Sequence, residues 1–377
     1  MLNLFRAPAA LLILLLFVVI GACSSSANNT GESTDVGDVT IVTLVENLDD
    51  PWGMDFLPGG DLLVTEKSGQ LNRIDAGSLA PSPVSGLPAI AQNAGQGGLL
   101  DVLVHPDFAV NSWVYFSYAI ADGKTYTTRV SRGRLQGNSL SDVETLFTAE
   151  PFFDTRRHFG SRLLLDDGYL FITVGDRANR DLAQSLTTHN GKVMRLFEDG
   201  SVPQDNPFVD VDSARPEIWT YGHRNPQGMA QHPDNGSIWI AEHGPQGGDE
   251  INVLAPGSNY GWPLATYGEE YGGGKIGKGT EFADTVQPIT YWVPSLGTGG
   301  IAFYAGDEYP RWQPSLLVAG LKLTRISRLE LAGAGVGKEH SLLESSKLRI
   351  RDVQFGPDGR LYALVGGDRL VRLDPVR

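Results

Sequence analysis

One short pattern, a Pro/Asp/Gly turn running into a β-branched or aromatic stretch, occurs six times in this 377-residue chain. Long amphipathic helical stretches are nearly absent. Together these observations predict an all-β chain closed as a six-bladed β-propeller. Composition supports a packed body: 46 Gly and 22 Pro would suit disorder, but 12 Tyr, 7 Trp and 15 Phe require a core.

Residues 1–22 have the form of a secretory signal, with Arg6, an apolar run from Ala9 to Ile20 and small residues after it. The run is shorter than the ~20 residues of a spanning helix. Ile20-Gly21-Ala22-Cys23 resembles a bacterial lipobox, so Cys23 is expected to carry lipid; an ordinary signal with an incidental Cys is the alternative. Cys23 is the only Cys, which excludes an internal disulfide. Residues 23–38 are polar and aperiodic and read as a flexible tether. Residues 39–377 are assigned to the propeller.

The repeated units are FLPGGDLLVTEK from Phe56, VLVHPDFAVNSWVYFSYA from Val102 and LLLDDGYLFITVGDR from Leu163. They return as QHPDNGSIWIAEHG from Gln231, FYAGDEYPRWQPSLLVAG from Phe303 and FGPDGRLYALVGG from Phe355. Each reads as a hairpin. Their turns centre near residues 59, 107, 167, 234, 306 and 358, a spacing that leaves room for four short strands and an insertion per unit. The last unit is short of strands, so Thr40–Val45 is expected to complete the final sheet and close the ring. A β-sandwich is the alternative, but sandwiches rarely repeat one motif six times.

A net charge of −14 argues against a nucleic-acid partner, because phosphate binding wants a basic face. It suits a hard cation with oxygen ligands, such as calcium. The densest chemistry lies between Trp219 and Pro263, where HRN, HGPQGGDE and NYGWP flank a short apolar strand around Ile238–Ala241. Charged residues with Gly and Pro beside a rigid strand are where folds place their sites.

In order along the chain, PWGMDFLP, GQGGLLDVLVHPDF, HFGSRL, GKVMRLFEDGSVPQDNPF, GHRNPQGMA, EHGPQGGDEIN, NYGWP, LLVAGLK and RIRDV resemble the soluble quinoprotein sugar dehydrogenases, near their bacterial aldose sugar dehydrogenase branch. The resemblance spans about Val42 to Leu373. It implies a six-bladed propeller holding pyrroloquinoline quinone (PQQ) and Ca2+ at one mouth, which oxidises an aldose at C1 to the lactone and passes electrons to a separate acceptor.

That cofactor is planar with three carboxylates, and an acidic chain must gather cations to hold it. Lys322 with Arg349 and Arg351 are the candidates; on a strand, residues 349 and 351 share a face. A solvated basic face is the other reading of the same residues. The resemblance implies His158 as the base, apt because an unperturbed imidazole titrates near 6.5, with Asp176 orienting it. It implies Arg224 beside a quinone oxygen, Asn225 on the cofactor edge and Gln96 facing cofactor or sugar. For calcium it implies the carbonyls of Gly244 and Pro245. A separate structural calcium would take Glu250, the Tyr260 carbonyl and Asp249; a solvated acidic turn is the alternative for the two carboxylates. Arg177–Asp181 and the segment from Tyr267 to Tyr271 depart from the glucose-type pattern and leave the sugar open. Two other functions fit such a ring: a non-catalytic ligand-binding propeller and a calcium-dependent lactonase. The first would lack His158 or the cation group, and the second has no use for three cations around a tricarboxylate.

Overall fold

The computed structural model describes residues 39–376 apart from Ala76 and Ala334. The signal, Cys23 and the tether lie outside the described residues. Six antiparallel four-stranded sheets form the ring. Blade one comprises Pro51–Phe56, Leu62–Glu66, Leu71–Asp75 and Ser78–Leu79; blade two comprises Leu99–Val104, Trp113–Asp122, Thr125–Gln136 and Ser139–Thr148. Blade three is Leu163–Asp166, Tyr169–Val174, Lys192–Phe197 and Ile218–Tyr221; blade four is Pro226–Gln231, Ile238–Glu242, Asp249–Val253 and Thr290–Trp292. Blade five is Thr298–Tyr304, Ser315–Gly320, Ile326–Ala332 and Gly335–Leu342. Blade six takes Ile350–Phe355, Leu361–Val365 and Arg369–Pro375 from the end of the chain, and Val39–Val45 from its beginning. That closure was expected, and its register runs from Val39 opposite Pro375 to Val45 opposite Leu370.

Each repeated unit proves to be the link between the first and second strands of a blade. In blade two the link carries the short helix Phe108–Asn111. First strands pack on first strands around the axis, and an apolar layer fills each gap between blades. Leu63 and Leu71 meet Val114 and Phe116 between blades one and two. Leu317 and Ile326 meet Val353 and Leu361 between blades five and six. Burying one such side chain contributes about 1.5–3 kcal/mol.

Polar staples run through these apolar layers. The Thr65 hydroxyl on the second strand of blade one accepts from Gly53 N at 2.9 Å and donates to Leu100 O in blade two. Ser117 accepts from Asp101 N at 2.9 Å and donates to Ser161 O at 2.6 Å. Thr173 accepts from Arg162 N at 2.9 Å and donates to Pro226 O at 3.0 Å. In all three, one hydroxyl satisfies an N–H of its own blade and a carbonyl of the next. Gly53 and Asp101 lie where the register of their strands shifts, so the N–H groups freed from the ladder are the ones collected.

A second belt lies on the axis. The Asp55 carboxylate accepts from Val104 N at 2.6 Å, Asp101 from Leu163 N at 2.8 Å, and Asp352 from Met54 N at 3.2 Å. Arg162 binds Asp101 at 2.9 Å and Asp352 at 3.1 Å, donates to Gln227 O at 2.8 Å, and stacks 4.5 Å from the Trp52 ring. Asp101 and Asp352 share the one guanidinium while Asp55 adds a third acid near both, and burial pushes the Asp101 carboxyl up to about 7 and Asp55 to about 6.

Thr173→Val keeps the shape of the staple and leaves a buried N–H and a buried carbonyl unpaired. It is expected to lower stability in urea unfolding by about 1–3 kcal/mol, whereas Thr173→Ser, which keeps the hydroxyl, should lose less. Equal losses for the two variants would show that packing, not the hydroxyl, joins the blades.

Candidate active site at one mouth of the ring

At the end where the first strands begin, the connections enclose a cavity of about 350 Å³. Every blade contributes to its lining: Trp52 from blade one, Gln96 ahead of blade two, His158 ahead of three, Arg224 ahead of four, Lys322 behind the second strand of five, and Arg351 of six. The repeated hairpin turns are at the other ends of the same first strands. The cavity is lined by Gln96, His158, Arg224, Asn225, Gly244, Pro245, Asp249, Lys322, Arg349 and Arg351. Asp176 stands directly behind His158, and Glu250 and Tyr260 belong to a neighbouring cluster.

The His158 backbone is left-handed, with φ of 55°, and is pressed against the end of Tyr169–Val174. A Cβ at Gly175 would stand 2.2 Å from His158 O, and one at Gly160 would stand 2.7 Å from Gly175 N, so both positions demand glycine. Gln96 Oε1 accepts from His158 N at 2.8 Å, and Asn225 Oδ1 accepts from Gly160 N at 3.1 Å. Two residues expected at the cofactor therefore spend their side-chain oxygens on holding the histidine loop.

His158 Nδ1 lies 2.6 Å from Asp176 Oδ1; the other carboxylate oxygen accepts from Trp262 Nε1 at 2.8 Å, and Ala178 N donates at 2.7 Å. Burial would raise the Asp176 carboxyl, but His158, Arg224 and Trp262 outweigh it and hold the group below the usual range. Asp176 is thus a carboxylate, Nδ1 carries the proton, and Nε2 is the basic nitrogen. Burial pulls the imidazole below its ordinary pKa, with Arg224 and Arg177 pushing the same way against the Asp176 hydrogen bond.

Around this dyad the cavity wall is cationic. Arg224 donates to His243 O at 3.1 Å, takes Glu242 on its backbone N–H at 2.7 Å and stands 5.3 Å from the Trp262 ring centre. Arg351 donates to Gln227 Oε1 at 2.9 Å, and burial lowers its pKa to about 10, which leaves it charged. Lys322 and Arg349 are exposed on the wall. The strand begins at Ile350, which is buried in the core, and residues 349 and 351 both face the cavity as alternation requires. Asp249 is the one carboxylate in the lining. Its oxygens accept from Gly244 N at 2.9 Å, Gly297 N at 2.5 Å and Thr298 N at 3.3 Å, in place of the open ligand position expected of it.

Glu250 sits opposite Glu242 on paired strands. Asn252 Nδ2 donates to both, at 3.0 and 3.1 Å, while its Oδ1 is buried without a hydrogen bond. Burial and the Glu242 charge drive the Glu250 carboxyl well above its usual range. Tyr260 closes the cluster, its ring stacked on His223 at 4.7 Å. Two buried carboxylates and an orphaned carbonyl oxygen fit a hard cation. Among the described residues no three His, Cys, Asp or Glu side chains converge on one metal position, so backbone carbonyls would have to complete such a site.

The segment expected to face the sugar divides. Arg177 turns inward and is fully buried, whereas Arg180 reaches Glu270 at 2.5 Å across the rim, beside the cavity-lining Tyr271. Sequence reasoning assigned no role to four residues. Trp52 floors the cavity, Trp262 fixes Asp176, and Gln227 ties Arg351 to His243 Nε2, 3.1 Å away. Trp262 stands in NYGWP, Gln227 in GHRNPQGMA and His243 in EHGPQGGDEIN, so motif membership marks all three, but nothing local in sequence shows that Gln227 joins Arg351 to His243.

The ring and the cavity define an enzyme class: a propeller with a carboxylate-paired imidazole facing a cationic wall. A model of the glucose/sorbosone dehydrogenase family matches residues 48–372, and the chain belongs to that family of oxidoreductases. It is 42% identical over 368 residues to the aldose sugar dehydrogenase YliI of Escherichia coli (strain K12), covering 95% of this chain and 98% of that one. The crystal structure of soluble aldose sugar dehydrogenase from Escherichia coli in the apo-form superposes with a TM-score of 0.87 at 42% identity, over 90% of this chain and 100% of that one. The PQQ-bound aldose sugar dehydrogenase of Streptomyces coelicolor gives 0.75 at 28% identity, over 91% and 100%.

The imidazole of His158, followed by NMR in the protein alone, is expected to titrate below its ordinary range. Asp176→Asn removes the charge that stabilises the imidazolium, so the pKa should fall further. A rise would mean that Asp176 does not act as the charged partner.

Proposed function

We propose that this protein is a PQQ- and calcium-dependent dehydrogenase that oxidises aldoses at C1 to the lactone. One observation carries the reading: the His158–Asp176 dyad opens onto the same cavity as Arg224, Lys322, Arg349 and Arg351. Lys322, Arg349 and Arg351 would hold the cofactor carboxylates, the two guanidiniums as planar partners and the ammonium as a point charge. Gly244 and Pro245 would offer carbonyl oxygens to calcium. Their turn is tight enough that a Cβ at Gly244 would stand 2.3 Å from Gly247 O and Gly248 O, so carbonyl oxygens crowd one small volume. When bound, PQQ supplies the ortho-quinone that takes up the hydride from C1, with calcium as a Lewis acid.

The chain's own residues do the rest. His158 Nε2 accepts the proton of the C1 hydroxyl as the C1–O bond becomes a carbonyl. Asp176 keeps Nδ1 protonated and balances the imidazolium that forms. Arg224, fixed on His243 O, places a donor where negative charge grows. The lowered pKa of His158 keeps it neutral, and so basic, at neutral pH. Glu250, Glu242 and the Tyr260 carbonyl would hold a second, structural calcium behind the cavity. The sequence before residue 39 adds a location outside the cytoplasm with a lipid anchor on Cys23; among the described residues no helix is long and apolar enough to cross a membrane.

The test is to add PQQ and Ca2+ to the purified protein and follow dye reduction with a panel of aldoses. Sugar-dependent reduction is expected; its absence, with no change in quinone absorbance, would overturn the proposal. His158→Ala is expected to keep PQQ binding and lose about 10²–10⁴ in turnover; undiminished turnover would remove His158 as the base. In a bacterial host, Cys23→Ser should move the protein from the membrane to the soluble fraction, and an unchanged distribution would refute the anchor.

A further inference from the structure

Arg177 follows Asp176 directly and is entirely buried, with a left-handed backbone at φ of 54°. Among the described residues its guanidinium forms no ion pair. It donates instead to two carbonyls of the histidine loop, Thr155 O at 2.7 Å and Arg157 O. The Thr155 hydroxyl returns a hydrogen bond to Arg177 O at 2.7 Å. The guanidinium carbon lies 3.4 Å from the centre of the Phe159 ring. Arg177 therefore grips the residue before His158 through a carbonyl and the residue after it through a ring. Phe159 in turn packs under the Gln96 loop, where a Cβ on Gly97 would meet its ring at 2.7 Å.

Burying a guanidinium without a carboxylate is costly, and a neutral side chain could fill the same space. What a cation adds here is a fixed grip on two carbonyls and a positive charge behind the imidazole. The groups facing His158 are Asp176, which favours the imidazolium, Arg224 and Arg177, which oppose it, the buried His243 across the cavity, and the neutral Gln96.

We infer that Arg177 is a positioning residue for His158: it anchors the loop that carries the imidazole and fixes a positive charge behind the ring. The inference rests on His158 being the base of the proposed reaction, but its consequences for geometry and titration do not need turnover. Consecutive residues divide the task, Asp176 orienting the ring through Nδ1 and Arg177 fixing the backbone.

The charge and the grip separate in two variants. Arg177→Gln keeps donors and removes the charge; Arg177→Lys keeps the charge and loses the two-pronged grip. In Arg177→Gln the His158 pKa by NMR is expected to rise, because a repelling cation is gone, and the acid limb of kcat/KM should move up with it. In Arg177→Lys kcat is expected to fall about 10–100-fold, the scale of a misplaced catalytic group, with KM little changed and the acid limb near that of the parent. Both should bind PQQ, by absorbance titration, within about threefold of the parent. Added to His158→Ala, Arg177→Lys should cost nothing further, since both act through one group. A lowered Tm with an unshifted His158 titration and an undiminished kcat would make Arg177 a structural residue only and overturn the inference. If the parent protein reduces no dye with any sugar, the proposed reaction fails, and the NMR titration still decides the role of Arg177. Should Arg177→Gln fail to fold, Arg177→Lys decides by its kcat.

Discussion

The molecule depends on joining blades that share no backbone ladder. Each sheet pairs its own four strands, and apart from isolated bridges such as Tyr221 with Asn259 strand pairing does not hold one blade against the next. Apolar contact supplies the driving force but leaves angle and offset loosely specified, since it is non-directional. The staples of Thr65, Ser117 and Thr173 supply direction, because a hydroxyl that both accepts and donates has one orientation that satisfies both blades. Arg162 and its acids carry the same constraint across the axis, from blade two to blade six. Loops that open from such a frame inherit its precision, which lets residues as far apart in sequence as Gln96 and Arg351 share one cavity.

Within that cavity, several polar groups hold His158 and its loop. Gln96 and Asn225 hold the backbone on either side of His158, and Trp262 holds its carboxylate. The electrostatics are consistent with this division. A protein of net charge −14 keeps its acids away from the lining or commits them to backbone N–H groups, as at Asp249. Lys67, also in the lining, is paired with Asp50, whereas Arg224, Lys322, Arg349 and Arg351 face the cavity with little internal compensation, an arrangement that costs self-repulsion in the free protein and is relieved by a multiply charged anion.

How much of this the sequence revealed follows from where periodicity exists. The six hairpins were legible because Pro, Asp and Gly turns followed by β-branched runs have a local cause, and the closing strand followed from counting strands in the last unit. Those hairpins lie at the ends of the first strands away from the site. The loops at the site have no period; they were found through motif order, as in HFGSRL and GHRNP. What stayed hidden depends on contacts between distant segments. Gln227 matters because Arg351 reaches it, 124 positions away, and nothing near Gln227 announces this. An acid in a glycine-rich loop such as Asp249 reads as a metal ligand, and only the structure shows the three N–H groups its oxygens accept from. The burial of Arg177 has no local sign, and only the structure shows its carbonyl partners.

The same frame divides the cavity into a rigid floor and a soft edge. Beneath the cavity the contacts are buried and doubly satisfied, so a change there is felt across blades. The rim is different. The connection from Asn179 to Gln184 meets the one from Tyr267 to Lys275 through Arg180 and Glu270, a solvent-screened pair that adds little to stability. Gly272, Gly273 and Gly274 have left-handed backbones with open space beside them. Substitutions at this edge leave every staple and the His158–Asp176 pair untouched, while Tyr271, the aromatic residue held there, lines the cavity. The rigid floor and the soft edge can therefore change independently, because no hydrogen bond of the dyad passes through the Arg180–Glu270 link.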